Sequence, residues 1–416
     1  MLPNKFRWII PLCLILLAVM ACGQFSVGVI TPTAANAPGE TSAARTLVPT
    51  SVSTTPTPVS SPTSDWDPAA ATAIPEASIP ALTYLGPDSN VWVLESGSET
   101  PRQVTFDANL MGSDSAAVEY GYPRLSSDGT LLAYSREVGT PVASGYDFTT
   151  GLWVTNLTTG EQRQIMDGRP AGMAWKPDSH LLSYGTAVDL EYFITRGEPD
   201  STLANGISAI DLDSGETLEL VAPERGYALS SPKWSPDGHF LAFTEVFNME
   251  GSGLFAYYDL EGQEYVAWDE PVGRVSWSPD GELLTYARHT YAATGEERLY
   301  LRPRQGSEQL LGPDYDGPAY AIYPIFSSAG NQIAYLAFLE GPMTGIATIM
   351  VLDLAGGEPK SLGQFEDVWE LAWVPDRSHV VFSFGPYKSR QIIALNISDG
   401  SQTVLATGSQ PALAGR

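Results

Sequence analysis

A twelve-residue unit with a tight turn at its centre recurs through this chain and limits what it can fold into. It reads PRLSSDGTLLAY at 123–134, MAWKPDSHLLSY at 173–184, PKWSPDGHFLAF at 232–243, VSWSPDGELLTY at 275–286, PIFSSAGNQIAY at 324–335 and LAWVPDRSHVVF at 371–382. Each unit predicts a β-hairpin. A large apolar residue (Leu125, Trp175, Trp234, Trp277, Phe326 or Trp373) sits on the first strand. The Pro-Asp-Gly turn follows, where Pro presets φ, Asp bonds its own backbone and Gly accepts φ above zero. The second strand alternates apolar and small residues up to an aromatic. A second hairpin follows each first one, with turns such as NLTTGE at Asn156, DLDSGE at Asp211, DLEGQE at Asp259 and DLAGGE at Asp353. Four strands per unit, repeating at roughly forty to fifty residues, is the pattern of a propeller blade.

The two ends supply complementary fragments of one more blade. Residues 81–84, 91–94 and 103–105 read as second, third and fourth strands, whereas 410–413 reads as a first strand. The expected fold is therefore all-β: a seven-bladed β-propeller of four-stranded antiparallel blades, closed by a blade shared between the N- and C-terminal ends. Closure leaves few open sheet edges and so guards against edge-to-edge aggregation.

These residues resemble the TolB-like propeller repeat family, whose mark is the W-S-P-D-G hairpin. Asp237-Gly238 and Asp280-Gly281 match it in full, while Ala329-Gly330 and Asp376-Arg377 depart from it. The resemblance covers nearly all of 79–416 and implies the fold. It does not carry over the family's envelope role, since a stalk stands here where that family has a separate α/β domain.

The N-terminal residues read as an export signal. Lys5 and Arg7 precede an apolar run at 8–20, thirteen residues broken only by Pro11, too short to span a bilayer as a helix. Val19-Met20-Ala21-Cys22 resembles the lipobox of bacterial lipoproteins, which implies lipidation at Cys22. The expected domains are a signal peptide with its lipidation Cys at 1–22, a Thr/Pro/Ser-rich stalk without apolar period at 23–78, and the propeller at 79–416. The expected place is the cell envelope, outside the cytoplasm, with the membrane met only through the lipid anchor. Cys13 and Cys22 are the two cysteines, so the propeller has no disulfide, zinc finger or cysteine nucleophile. A formal net charge of −26 argues against nucleic acid and anionic membrane surfaces.

Catalytic motifs are sparse. The repeated tryptophans read as core, and the aspartates at hairpin tips as turn formers. Of the four histidines, His180, His239 and His379 fall at similar positions in different blades, too far apart to hold one metal, and His289 follows a second strand. Propeller lyases of the pectate type use a histidine-rich metal site that these residues do not supply. Neither a G-x-S-x-G elbow, a Walker loop nor a dinucleotide fingerprint occurs. The expectation is thus no catalytic residue, no metal and no cofactor.

A site is expected where the connections are long: between second and third strands at 136–150, 186–205, 245–253 and 288–297, and between blades at 107–121 and 312–322. Both kinds emerge on one face of an up-and-down propeller. Tyr122, Tyr146, Tyr192, Arg274, Tyr291, Tyr320, Tyr323, Trp369, Glu370 and Gln410 are the candidate binding residues of that face and the channel mouth. Tyr122, Arg274, Tyr323, Glu370 and Gln410 share one step, just before the first strand of their blades. The expected function is a monomeric, surface-tethered binding or scaffold module for a protein, peptide or glycan, not an enzyme. The alternative is a propeller lyase or glycosidase using carboxylates and tyrosines at the mouth, with Glu370 and Asp316 as first pair to inspect.

Overall fold

The computed structural model describes residues 79–109, 116–143, 145–188, 201–246, 253–290, 296–312, 320–339, 344–375, 378–387 and 389–414. The signal segment, Cys22, the stalk, Tyr192, Tyr291 and Asp316 lie outside the described residues.

The described chain is all-β, with one named 3-10 turn at Ser201–Leu203. Strands β1 (Leu82–Leu85), β2 (Val91–Leu94) and β3 (Arg102–Gln103) form a four-stranded sheet with β28 (Ser409–Leu413). The next comprises β4 (Ala117–Leu125), β5 (Leu131–Val142), β6 (Gly145–Asn156) and β7 (Gln162–Asp167). Then come β8 (Pro170–Trp175), β9 (Leu181–Thr186), β10 (Ile207–Asp211) and β11 (Thr217–Val221). They are followed by β12 (Ala228–Trp234), β13 (Phe240–Val246), β14 (Gly253–Asp259) and β15 (Glu264–Pro271). An eight-stranded sheet has two antiparallel halves. One is β16 (Val275–Trp277), β17 (Leu283–Thr290), β18 (Glu296–Pro303) and β19 (Gln309–Leu311); the other is β20 (Tyr320–Phe326), β21 (Gln332–Phe338), β22 (Ile346–Asp353) and β23 (Lys360–Glu366). A single parallel bridge, Glu297 to Tyr320, joins the halves. The last sheet is β24 (Trp369–Trp373), β25 (His379–Phe384), β26 (Gln391–Asn396) and β27 (Gln402–Thr407). Strand β28 pairs antiparallel with β1, setting Leu413 opposite Leu82 and Ala412 opposite Thr83.

Turn chemistry makes the hairpins. In the central turn of the second sheet, Ser126 Oγ donates to Asp128 and accepts from Leu131 N, while Gly129 takes φ 73°. The same set recurs at Ser235-Asp237-Gly238 and Ser278-Asp280-Gly281. Where Ala329 replaces the aspartate, the acceptor moves to Asn331, which receives Ser327 Oγ. Where Ser179 replaces the glycine, the left-handed conformation moves to Asp178, φ 51°. The Asp211 carboxylate accepts from Asp213 N and Ser214 N, the work of a turn and not of a calcium loop.

The large apolar residue of each unit is buried between sheets: Leu125, Trp175, Trp234, Trp277, Phe326 and Trp373 are all below a tenth exposed. Three of the tryptophans also latch sheet to sheet, since Trp175 Nε1 donates to Arg124 O, Trp234 Nε1 to Ser183 Oγ and Trp277 Nε1 to Lys233 O.

One expectation about loops is corrected. Residues 136–150 are not a long irregular connection but the continuation of a hairpin, with β5 and β6 paired from Leu131–Asn156 out to Val142–Gly145. Val138, Thr140 and Val142 on β5, and Tyr146, Phe148, Thr149 and Thr150 on β6, keep the β-branched and aromatic composition that favours extended chain. Tyr146 is therefore a strand residue, its ring 6.0 Å from that of Phe148.

Candidate binding site at the first strands

The first strand of a sheet pairs only with the second, and in most sheets that pairing is interrupted by a β-bulge. The register shifts between Gly121 and Arg124 on β4, Pro170 and Met173 on β8, Ser230 and Lys233 on β12, Ile322 and Ile325 on β20, and Trp369 and Ala372 on β24. Inside each bulge one residue is left-handed: Tyr122 (φ 53°), Gly172 (φ 96°), Ser231 (φ 54°), Tyr323 (φ 53°) and Glu370 (φ 58°). Gln410 (φ 53°) occupies the same step on β28. A bulge leaves its extra residue unpaired and re-aims the side chain. Left-handed non-glycine residues persist only where their surroundings hold them, and they gather at functional sites.

The next residue and the third one on turn inward to the sheets, as the burial of Pro123 and Leu125 or Pro232 and Trp234 shows. Among the step residues and those two further on, Tyr122, Ser231, Lys233 and Arg274 are exposed. There Arg274 guanidinium stacks over the Tyr323 ring at 4.5 Å and meets Glu370 at 3.4 Å. Arg124 approaches the same carboxylate at 3.9 Å. These three charged residues belong to sheets that are not neighbours in chain order: Arg124 lies on β4, Arg274 precedes β16, and Glu370 lies on β24. Burial pushes the Arg124 pKa down, Glu370 opposes that, and the Arg274 charge adds to it. Gln410 Oε1 accepts the Tyr122 N–H at 2.7 Å, tying the bulge of β28 to that of β4.

The structure thus brings Tyr122 to Gln410, and Arg274 to Tyr323 and Glu370. It places Tyr146 at the far end of the β5–β6 hairpin and Tyr320 at the start of β20, three residues before the bulge. Trp369 begins β24, and its side chain is outside the description. Tyr192, Tyr291 and Asp316, the last the expected partner of Glu370, lie outside the described residues. Sequence reasoning missed Arg124 and Lys233, each two residues past the step residue of its strand. It weighed His180 only as a metal ligand and did not foresee its contacts: Nδ1 lies 2.7 Å from Asp213 and Nε2 3.1 Å from Asp128 of the preceding sheet. Among the described residues no group of three or more His, Cys, Asp or Glu converges as a metal site.

Comparison with known proteins defines the class first. The β-propeller domain of the Trilobed protease from Pyrococcus furiosus, which has an open velcro topology, matches with a TM-score of 0.50 at 15% identity, over 77% of this chain and 90% of that one. A prolyl endopeptidase structure matches with a TM-score of 0.54 at 15% identity, over 78% of this chain and 46% of that one. The chain is a β-propeller. No family model matches it.

Among curated proteins, the uncharacterized peptidase YuxL of Bacillus subtilis (strain 168) is 28% identical over 181 residues, 42% of this chain. The match spans 24% of that peptidase, so this chain corresponds to about a quarter of its length. This similarity overturns the expectation of a non-enzymatic binding or scaffold module. The repeat residues are shared by propellers that bind and propellers that belong to enzymes, so hairpin chemistry alone could not separate the two.

Proposed function

We propose that this chain is an enzyme propeller acting on peptides, with its substrate received at the first-strand bulges. The observation that carries the reading is the 181-residue similarity to a peptidase. The first strands supply what peptide recognition needs: exposed Tyr122 and an Arg274 guanidinium stacked on Tyr323 and met by Glu370. The test is incubation of the full-length protein with a defined peptide mixture, with new termini read by mass spectrometry. Cleavage that slows in Arg274→Gln through a raised KM supports the reading. A mixture left intact overturns it.

The architecture we infer is a closed ring of seven blades. Its support is seven sets of four strands, the pairing of β28 with β1, and packing of β28 against β4 and of β24 against β28. The place we infer is outside the cytoplasm, lipid-anchored through Cys22 with 23–78 as stalk. Tritiated palmitate should label the expressed protein and fail to label Cys22→Ala; equal labelling of both removes the anchor.

A further inference from the structure

The step residues of the first strands and those two further on carry a net charge opposite to that of the molecule. The step residues are Tyr122, Gly172, Ser231, Arg274, Tyr323, Glu370 and Gln410, and those two further on are Arg124, Ala174, Lys233, Ser276, Ile325, Ala372 and Ala412. Arg124, Lys233 and Arg274 are basic and Glu370 alone is acidic, in a chain of formal net charge −26. The Glu370 carboxylate meets both Arg124 and Arg274, from strands on either side of its own sheet and beyond the adjacent ones, so these side chains reach across the space that the first strands surround. Lys233 Nζ donates to Val275 O at 2.9 Å, beside Arg274.

We propose that Arg124, Lys233 and Arg274 form a receptor for the carboxylates of an acidic peptide. This rests on the peptide-acting reading and names its substrate class. Arg124 and Arg274 share the Glu370 carboxylate, and the Arg274–Glu370 contacts are long, at 3.4 and 3.5 Å. Guanidinium forks bind carboxylates in pairs of parallel bonds, so a ligand carboxylate can take a better geometry than Glu370 does. Arg274 is 52% exposed and backed by the Tyr323 ring, hence reachable and held in direction. Tyr122, 55% exposed, flanks Arg124 with an aromatic face for the peptide chain. The acidic outer surface repels such a ligand elsewhere, which concentrates binding at this one cationic mouth.

The test is titration of the full-length protein with a fluorescent, end-blocked heptapeptide containing three glutamates, beside its glutamine analogue and an oligogalacturonide of equal charge. The glutamate peptide should bind about tenfold tighter than its analogue at low salt, and the gap should shrink as salt rises. Arg274→Gln and Lys233→Gln should each lower that affinity about fivefold, whereas Arg163→Gln, on outer strand β7, should leave it alone. Glu370→Gln removes the competing anion and should raise the affinity, an effect that a merely structural role for Glu370 would not produce. Equal binding of both peptides, or an equal loss in Arg163→Gln, overturns the proposal, as does tighter binding of the oligogalacturonide. Cleavage without preference for acidic peptides defeats this inference and leaves the peptide-acting reading standing. Acidic peptides bound with none cleaved does the reverse.

Discussion

A left-handed backbone is cheap for glycine and costly for other residues, and the bulges sort residues by what each has as a neighbour. Gly172 is the glycine of the series because a Cβ there would sit 2.7 Å from Ser231 Cα, where β8 and β12 run closest. Gly129, at φ 73°, has only Ala81 Cβ near it, at 3.9 Å. Gly129→Ala should therefore lose about 1 kcal/mol from φ alone, and Gly172→Ala about 3 kcal/mol or more, because backbone must also move. Chemical denaturation of the two variants separates them; equal losses would refute the close approach. The shared step of Tyr122, Tyr323, Glu370 and Gln410 was legible in the repeat alignment. That the step is a bulge was not, since a bulge is a relation between two strands and the proline after Tyr122, Tyr323 and Gln410 argues for ordinary extended chain. Arg124 and Lys233 escaped notice because an isolated basic residue on an alternating strand reads as a solvated side chain.

Among the elements, the hairpin turns were legible almost residue by residue, because Ser, Asp and Gly act there through bonds to their own backbone. What lay beyond reach was the contact of one turn with another. His180, in the β8–β9 turn, bridges Asp213 of the β10–β11 turn and Asp128 of the β4–β5 turn, with Thr130 Oγ1 3.4 Å from its Nε2. The Asp213 hydrogen bond raises the His180 pKa, burial opposes, and Asp128 adds to the rise. Burial would raise the Asp128 pKa, but hydrogen bonds from Ser126, Thr130 and His180 outweigh it and hold the carboxyl well below the usual range. A raised histidine stabilises fully below its unfolded value, about 6.5, and loses that contribution as pH climbs through the folded one. A depressed aspartate stabilises above its unfolded value, about 3.9, and loses that contribution as pH falls toward the folded one. Both act together between about pH 4 and 6.5. The melting temperature of the parent should thus exceed that of His180→Gln most in this window, with the gap closing towards pH 8. A constant gap would mean that the bridge is not ionic.

Across the whole molecule the all-β class and the four-stranded repeat were legible because each blade repeats the same chemistry. The similarity to a peptidase was not, because hairpin chemistry is common to propellers of different function. The joining of the ends falls between these, since it rests on one short strand. Pairing of β28 with β1 converts two separate edges into a ladder, and Leu413 then packs in the cluster of Leu82, Tyr84, Val381 and Ile392. Cysteines at the paired positions Thr83 and Ala412 test this arrangement, in a background with Cys13 and Cys22 changed to serine. If the strands lie in the stated register, Thr83→Cys with Ala412→Cys should oxidise readily, since neighbouring antiparallel strands bring Cα atoms to about 5 Å. The bridge would tie a loop of more than three hundred residues, and its chain-entropy effect on the unfolded state is about 6 kcal/mol at most. The oxidised protein should unfold at higher denaturant than the parent, and reduction should return it to the parent's midpoint. A pair that stays reduced under mild oxidant would place β1 and β28 apart and open the ring.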